Sequence, residues 1–471
     1  MTKHAALPGR LLMLGFGSIG QGVLPLILRH IDITPDRITI ISPDDAGKAV
    51  AEEYGVTFLK MALTRENYAA ELEQRLGQGD FLCNVSVEVS SVALIRKCRE
   101  LGALYVDTCV EPWPGGYTDP DLSPSQRSNY ALRESALDVK RELGAGPTAV
   151  IAHGANPGLV SHFLKAALLD IAKASGMDAT RPESREGWAA LARDLGVKVV
   201  HIAERDTQKG LPPKERGEFV NTWSVNGFVG EGCQPSELGW GTHEPELPPE
   251  GRRHDFGCDA AIYLMRPGAG TRVRTWVPSE GPIHGWLITH NESISTADYY
   301  TLRDEAGEVV YRPTCHYAYH PCDEAVLSLH EFAGKNWELQ PRVRILMDET
   351  QPGGVDELGV LVNGPAKGSY WYGSQLTIDE ARELVPHNNA TSLQVTVSVL
   401  AAMIWAIENP NAGVVEPEDI DERRILEIST PYLGTMAGYW TNWTPLQDRE
   451  TLFPEDLDRN EPWAFKNVIV R

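Results

Sequence analysis

The chain is poor in the features that mark secreted, membrane and metal-dependent proteins. Its seven cysteines (Cys83, Cys98, Cys109, Cys233, Cys258, Cys315, Cys322) are scattered through 471 residues, odd in number and without a C-x-x-C. That pattern excludes a disulfide framework and implies reduced thiols in a cytoplasmic protein. No apolar run is expected to reach the roughly 18 residues that span a bilayer. Met1-Thr2-Lys3-His4 leads straight into a strand-like run at Leu11, with no signal peptide expected. Neither H-E-x-x-H nor G-x-S-x-G occurs. Cys315-His316-Tyr317-Ala318-Tyr319-His320-Pro321-Cys322 does gather two cysteines and two histidines. The histidines sit between the cysteines, whereas zinc ligands come as close pairs on separate elements, so a packed strand or loop is expected and no metal. Positive charge is scarce: 43 Lys and Arg face 65 Asp and Glu, a formal charge of −22. This excludes nucleic acid and an anionic membrane surface as partners. It is compatible with a cationic substrate, or simply with an acidic protein that stays dissolved. Internal repeats and low-complexity segments are also missing.

What the chain does have begins at Leu11-Leu12-Met13-Leu14-Gly15-Phe16-Gly17-Ser18-Ile19-Gly20. Four apolar residues read as a buried strand. Gly15, Gly17 and Gly20 form G-x-G-x-x-G, and Ile19, Val23, Leu24, Ile27 and Leu28 follow at helical spacing. Strand, glycine turn and helix are what a dinucleotide needs: a tight turn, a backbone that a pyrophosphate can approach, and a helix N-terminus facing its charge. Pro25 should bend or shorten that helix. Ile38–Ile41 reads as the second strand, with Ser42 and then Asp44 where an acidic residue often binds the adenosine ribose. Phe81–Ser86, Ala103–Thr108 and Ala149–Ala152 read as further strands. Ser90 or Ser91 caps the helix 92–101, and Gly102 stops it. Strands alternating with helices indicate a doubly wound parallel sheet of the Rossmann type, whose ligand crevice lies at the carboxyl ends of its strands. Asn84, Ser86, Thr108 and Asn156 fall at such ends.

With 471 residues and 42% hydrophobic composition, at least two folded domains are expected. After about residue 175, short alternating runs such as Thr271–Trp276 and Gly285–Thr289 indicate a second, α+β domain on a mainly antiparallel sheet. Residues 389–407 return to helical spacing and should pack back on the first domain. The organisation expected is therefore α/β: a nucleotide-binding domain over 1–152 with a helical return at about 386–425, a substrate-binding and dimerisation domain over 153–385, and an irregular C-terminal tail over 426–471. Several acid and aromatic clusters stand out. Glu111 lies at a strand end, Glu204 after the run Val197–Ile202, and Trp223 within a strand expected over 221–225. Glu231 follows Gly227 and Gly230, and His290 and Glu292 follow an apolar strand. Singly, each reads equally well as surface charge or core. Together, carboxylates beside aromatics suit an alkylammonium ligand, through charge-assisted hydrogen bonds and a cation–π contact.

These segments resemble the bacterial homospermidine synthases, within the wider group with saccharopine-reductase-like folds. The resemblance rests on the glycine turn, Val110–Trp113, Ser128–Glu134, Gly154-Ala155-Asn156-Pro157-Gly158, His201–Thr207, Asn221–Val225, Thr289–Ser293, Tyr311–Cys322 and Tyr370–Gln375, and covers essentially the whole chain. It implies conversion of two putrescines, or putrescine plus spermidine, to sym-homospermidine and ammonia. The route runs through an imine, 4-aminobutanal and a Schiff base, with NAD recycled within the turnover. It implies an amine tunnel lined by Glu111, Asn156, Glu204, Trp223, Glu231, His290, Glu292 and Asp356. It also implies a cofactor held by Gly15, Gly17, Ser18, Ile19, Gly20, Ser42, Asp44, Asn84, Ser86, Thr108, Ala155, Asn156 and Pro157. A homodimer is implied as well. Within that tunnel, Glu204 and His290 would move protons, Trp223 would face the cationic amine or iminium, and Glu111 and Glu231 would anchor ammonium ends. The chain departs from the family at Ser42, where an acid is expected, and at Glu88, where a shorter Asp is usual.

Two other readings remain open at this level. A saccharopine- or carboxynorspermidine-type reductase would need an arginine clamp for a substrate carboxylate, for which Arg133, Arg205 and Arg312 are available. A non-catalytic NAD-binding protein would need only the glycine turn.

Overall fold

The computed structural model describes residues 2–471. The first sheet has seven strands, all parallel. In spatial order they are Ala412–Val415, Gly146–Val150, Leu104–Asp107, Phe81–Asn84, Leu11–Leu14, Ile38–Ser42 and Thr57–Lys60. The chain reverses its winding direction between Leu11–Leu14 and Phe81–Asn84, which opens a crevice at the carboxyl ends of those two strands. Leu11–Leu14 is buried along its whole length, as a strand covered on both faces must be. Gly15, at φ +81°, turns the chain into the helix Ser18–His30. Pro25 does not shorten this helix, which runs on to His30 with the proline ring buried. Ser90, of the two candidates, caps the helix Ser91–Leu101 by accepting from the Ala93 N–H, and Gly102 ends it in the left-handed region at φ 76°.

The second sheet has ten strands. Its main path is Gly251–Arg253, Ala261–Pro267, Pro235–Gly239, Thr314–His320, Val199–Asp206, Val355–Asn363, Ser369–Thr377 and Thr435–Thr441. The hairpin Arg272–Val277/Gly281–Trp286 joins it through Trp286 opposite Tyr319. All its pairings are antiparallel except Thr314–His320 with Val199–Asp206.

The structure revises several local expectations. The strand near Trp223 stops at Asn221, because the Ser224 hydroxyl accepts from the Gly227 N–H and starts the helix Val225–Cys233. Trp223 therefore lies in the turn, and Gly227, Gly230 and Glu231 are helical. His290 follows the strand Gly281–Trp286, as expected, and is also the N-cap residue of the helix Asn291–Tyr299. The return to the first domain includes a strand, Ala412–Val415, besides the helix Ala390–Glu408. The C-terminal stretch folds onto its own chain: Thr435–Thr441 is an edge strand, and Phe465, Val468 and Ile469 pack with Val273 and Leu287.

Ala390–Glu408 is also long and apolar enough to cross a membrane, contrary to the expectation that no such stretch exists. Here, however, 83% of its most apolar window is buried in protein. It packs on Ser18–His30 and on Leu104–Asp107 of the first sheet, and approaches Val355–Asn363 of the second. Its side chains Leu393, Val397 and Leu400 belong to one apolar cluster that also contains Leu11 and Val106 of the first domain and Val200 and Leu358 of the second. The two domains thus share a continuous core. Leu400→Ala empties a fully buried position in it and should cost about 2–5 kcal/mol. Urea denaturation should show the loss in both domains together, as a single displaced transition.

Candidate active site

A cavity of ≈ 120 Å³ lies where the two sheets meet. The first domain lines it with Ile19, Val85–Val87, Thr108, Cys109, Glu111 and Gly154–Pro157, all from the helix start or the carboxyl ends of parallel strands. The second domain supplies Glu204, Tyr317, His290, and Trp223, Ser224, Gly227 and Glu231 from the capped turn and helix. The sheet register makes this meeting possible. Glu204 and Tyr319 are partners on adjacent parallel strands, so Tyr317, two residues before, projects from the same face. Tyr317 and Tyr319 lie nearly parallel, with ring centroids 5.2 Å apart.

Glu204 is fully enclosed. Its Oε2 accepts from Asn156 Nδ2 at 2.7 Å and from the Tyr317 hydroxyl. Burial pushes its carboxyl up to about 7, although those two donors favour the charged form. Beneath it lies a second polar layer. Thr391, which lines the cavity, donates to Asp356 Oδ2 at 2.5 Å and accepts from Gln208 Nε2 at 3.0 Å. Asp206 accepts from Thr222 Oγ1 at 2.7 Å and from the Gln208 backbone N–H at 2.8 Å. Burial and the neighbouring carboxylates hold Asp356 well above the usual carboxylate range, and burial raises Asp206 as well.

His290 sits between two carboxylates. Its Nε2 is 3.0 Å from Glu231 Oε2 and its Nδ1 3.2 Å from Glu292 Oε1. Burial alone would lower its pKa, but the two acids outweigh burial and raise it to about 10. Both ring nitrogens then carry hydrogen and donate. In that state the ring is an imidazolium, which can give up a proton but not accept one. Glu111, from the first domain, is raised by burial to about 7, and its Oε2 accepts from the Glu88 N–H at 3.1 Å. Trp223 is half-buried at the cavity wall, its Nε1 donating to the Tyr319 hydroxyl at 3.3 Å. Among the described residues, no lysine or arginine lines the cavity.

The glycine turn opens beside these groups. A Cβ on Gly15 would meet Val85 O at 2.7 Å, and one on Gly20 would meet Gly15 O at 2.7 Å. A Cβ on Gly17 would meet nothing within 4 Å. Gly15 and Gly20 are thus required by packing, whereas Gly17 faces open space. The helix that starts there has no side-chain cap, which leaves its first N–H groups free for an anion. Ser18 is buried in the first helical turn and Ile19 reaches the cavity.

Of the residues expected at the site, Ile19, Ser86, Thr108, Glu111, Ala155, Asn156, Pro157, Glu204, Trp223, Glu231 and His290 line the one cavity. Others stand apart. Glu292 backs His290, and Asp356 lies beneath Thr391. Asn84 is turned to its own chain, accepting from the Ser86 N–H and hydroxyl. Ser42 is buried at its strand end. Asp44 is exposed and accepts from the Ala46 N–H, a local turn bond that occupies one of its oxygens. Tyr317, Thr391 and Asp206 were missed. Tyr317 lies in the cysteine–histidine stretch, which forms the packed strand Thr314–His320, and no triad of His, Cys, Asp or Glu that could hold a metal forms among the described residues. Glu231→Gln removes one of the two acids that keep His290 charged. Its ring titration, followed by NMR of labelled histidine, should fall from about 10 toward neutrality.

Comparison with known proteins bears on the whole chain. Residues 11–150 match the saccharopine dehydrogenase NADP binding domain, and 154–441 the saccharopine dehydrogenase C-terminal domain. Homospermidine synthase of Blastochloris viridis is 56% identical over 468 residues, covering 98% of both chains. That of Mesorhizobium japonicum is 51% identical over 474 residues, covering 99% of this chain and 98% of its own. The crystal structure of homospermidine synthase from Legionella pneumophila in complex with NAD superposes with a TM-score of 0.93 at 47% identity, covering 99% of this chain and 98% of that one. Sequence, fold and cavity agree, and the chain belongs to the homospermidine synthase family.

Proposed function

We propose that this protein is an NAD-dependent homospermidine synthase that joins two putrescines, or putrescine and spermidine, with release of ammonia. The observation that carries the reading is the cavity wall. Three carboxylates, two buried (Glu111, Glu204) and one partly buried (Glu231), line it with one imidazolium and an indole, and among the described residues no lysine or arginine does. A diammonium chain is the complement of such a wall, because each buried carboxylate gains a charge-assisted partner. The glycine turn fits NAD, with Gly17 leaving room for a pyrophosphate above an uncapped helix N-terminus. What NAD supplies when bound is hydride storage, taken up in the first half of the turnover and returned in the second.

The protein's own groups do the rest. Glu204, with a pKa of about 7, is matched to taking a proton from an ammonium and returning it later. Asn156 and Tyr317 fix the oxygen that does so. The Trp223 face would stabilise the cationic amine or iminium by roughly 0.5–2 kcal/mol. Glu111 and Glu231 would hold ammonium ends, and His290 donates to Glu231. The enclosed wall would retain the aldehyde until the second amine condenses.

The reductase reading loses its clamp. Arg133 is bidentate to Glu416 and also bound to Asp298; Arg205 is bound to Glu280, and Arg312 to Thr301 and the Asp259 carbonyl. None of the three reaches the cavity. As further parts of the proposal, the protein works in the cytoplasm, which suits seven unpaired thiols, and as a homodimer, which light scattering tests.

Incubation with NAD⁺ and putrescine should give triamine and ammonia in equal amounts, with no net NADH at completion; stoichiometric NADH change would support the reductase, and neither product would sink the enzyme reading. Trp223→Phe should keep most activity while Trp223→Ala loses about tenfold in kcat/KM, and equal losses would rule out a cation–π role. Activity should rise with pH through about 7 as Glu204 ionises. Tyr317→Phe removes a bond that favours ionised Glu204, so this acidic limb should move to higher pH.

A further inference from the structure

Behind the catalytic sheet lies a larger cleft, of ≈ 880 Å³, unconnected with the site above. It is bounded by the hairpin Arg272–Val277/Gly281–Trp286, by His320 at the end of its strand, by His330 on the helix Asp323–Gly334, and by residues 443–455. His320 is the register partner of Arg205, so both project from the face opposite Glu204 and Tyr319.

The charges of this cleft do not balance. Arg272, Arg274 and Arg449 line it with His284, His320 and His330, against Glu280, Asp448 and Glu455. Two of the three acids are already taken: Glu455 is bidentate with Arg449, and Glu280 is held by Arg205 at 2.9 Å. Asp448 stands exposed at the rim. Neither Arg272 nor Arg274 forms an ion pair among the described residues. Arg274 points Nη1 at His284 Nε2, 3.0 Å away, and its Nε is buried without any partner. A guanidinium that meets an imidazole and an empty concavity, in a chain of charge −22, has geometry for an oxyanion that the protein itself does not supply.

We propose that this cleft is a second ligand site, which takes a small multivalent oxyanion, a phosphate or di- or tricarboxylate, on Arg272 and Arg274. The neighbourhood of His284 adds a signature. Burial, together with Arg274, Arg272, Arg449 and His320 around it, holds its pKa below the ordinary value, which disfavours the charged ring. An anion on Arg274 opposes those cations and raises it. Binding therefore takes up a proton and strengthens as pH falls.

Isothermal titration of the full-length protein with pyrophosphate and with citrate, at about pH 6.5 and about pH 8 and matched ionic strength, tests this. Saturable one-to-one binding is expected for at least one of them, tighter at the lower pH. Pyrophosphate alone would assign the phosphate class, and citrate alone the carboxylate class. Arg272→Ala with Arg274→Gln should weaken binding at least about tenfold while leaving anion-free synthase activity unchanged. Arg272 is exposed, so Arg272→Ala alone serves if the double variant does not fold. Absence of saturable binding by both probes, or binding unaltered in the variants, would overturn the proposal. So would a changed oligomeric state in the variants without anion binding, which would make this face an interface between copies.

Discussion

The constraint on which this structure turns is the burial of negative charge. A carboxylate removed from water must be paired, hydrogen-bonded or protonated. The cavity holds three carboxylates, with Glu292, Asp356 and Asp206 close behind, and only one cation, His290. Each acid is handled differently. Glu231 and Glu292 share the imidazolium, Glu204 has two donors on one oxygen, and Asp206 and Asp356 divide the hydroxyls of Thr222 and Thr391 and the amide of Gln208. The second oxygens of Glu292 and Asp356 are left without a partner. The same electrostatics holds the carboxyls of Glu204 and Glu111 near neutrality, and under the proposed function it would serve both ammonium selection and proton exchange.

The scaffold makes this arrangement precise enough to work. The parallel pairing of Val199–Asp206 with Thr314–His320 fixes Glu204 against the two tyrosines. Asp206, two residues on and so on the same face, bonds Thr222, the neighbour of Trp223, and thereby holds the turn that the Ser224 cap begins. Position and charge are coupled through one short stretch of strand.

Much of this was legible in the sequence. The glycine turn, the parallel strands and the cap and stop of Ser91–Leu101 follow from local rules, and the structure has them. Eleven cavity residues were also named from sequence, because acids and aromatics cluster visibly in the segments that carry the resemblance. What escaped depended on context. Ser224 competes with strand continuation through a single hydroxyl bond, so Trp223 was expected in a strand rather than a turn. Tyr317 and Thr391 carry no local signal; their partners lie 113 and 35 residues away. The charge state of His290 could not be read from Thr289–Ser293, since one of its two carboxylate partners, Glu231, lies on another helix. Strand Ala412–Val415 pairs with Gly146–Val150, far off in sequence, and four residues with a glycine among them are too short to announce themselves.

The helix Ala390–Glu408 carries a kinetic implication. Its buried face is common to both domains, and Leu11 of one and Leu358 of the other belong to the same cluster. Rocking the domains apart would wet that whole interface, at a cost of roughly 25 cal/mol for each Å² of apolar surface exposed. A clam-shell opening between chemical steps is therefore disfavoured. Traffic into and out of the cavity then falls to side chains and short turns at its mouth.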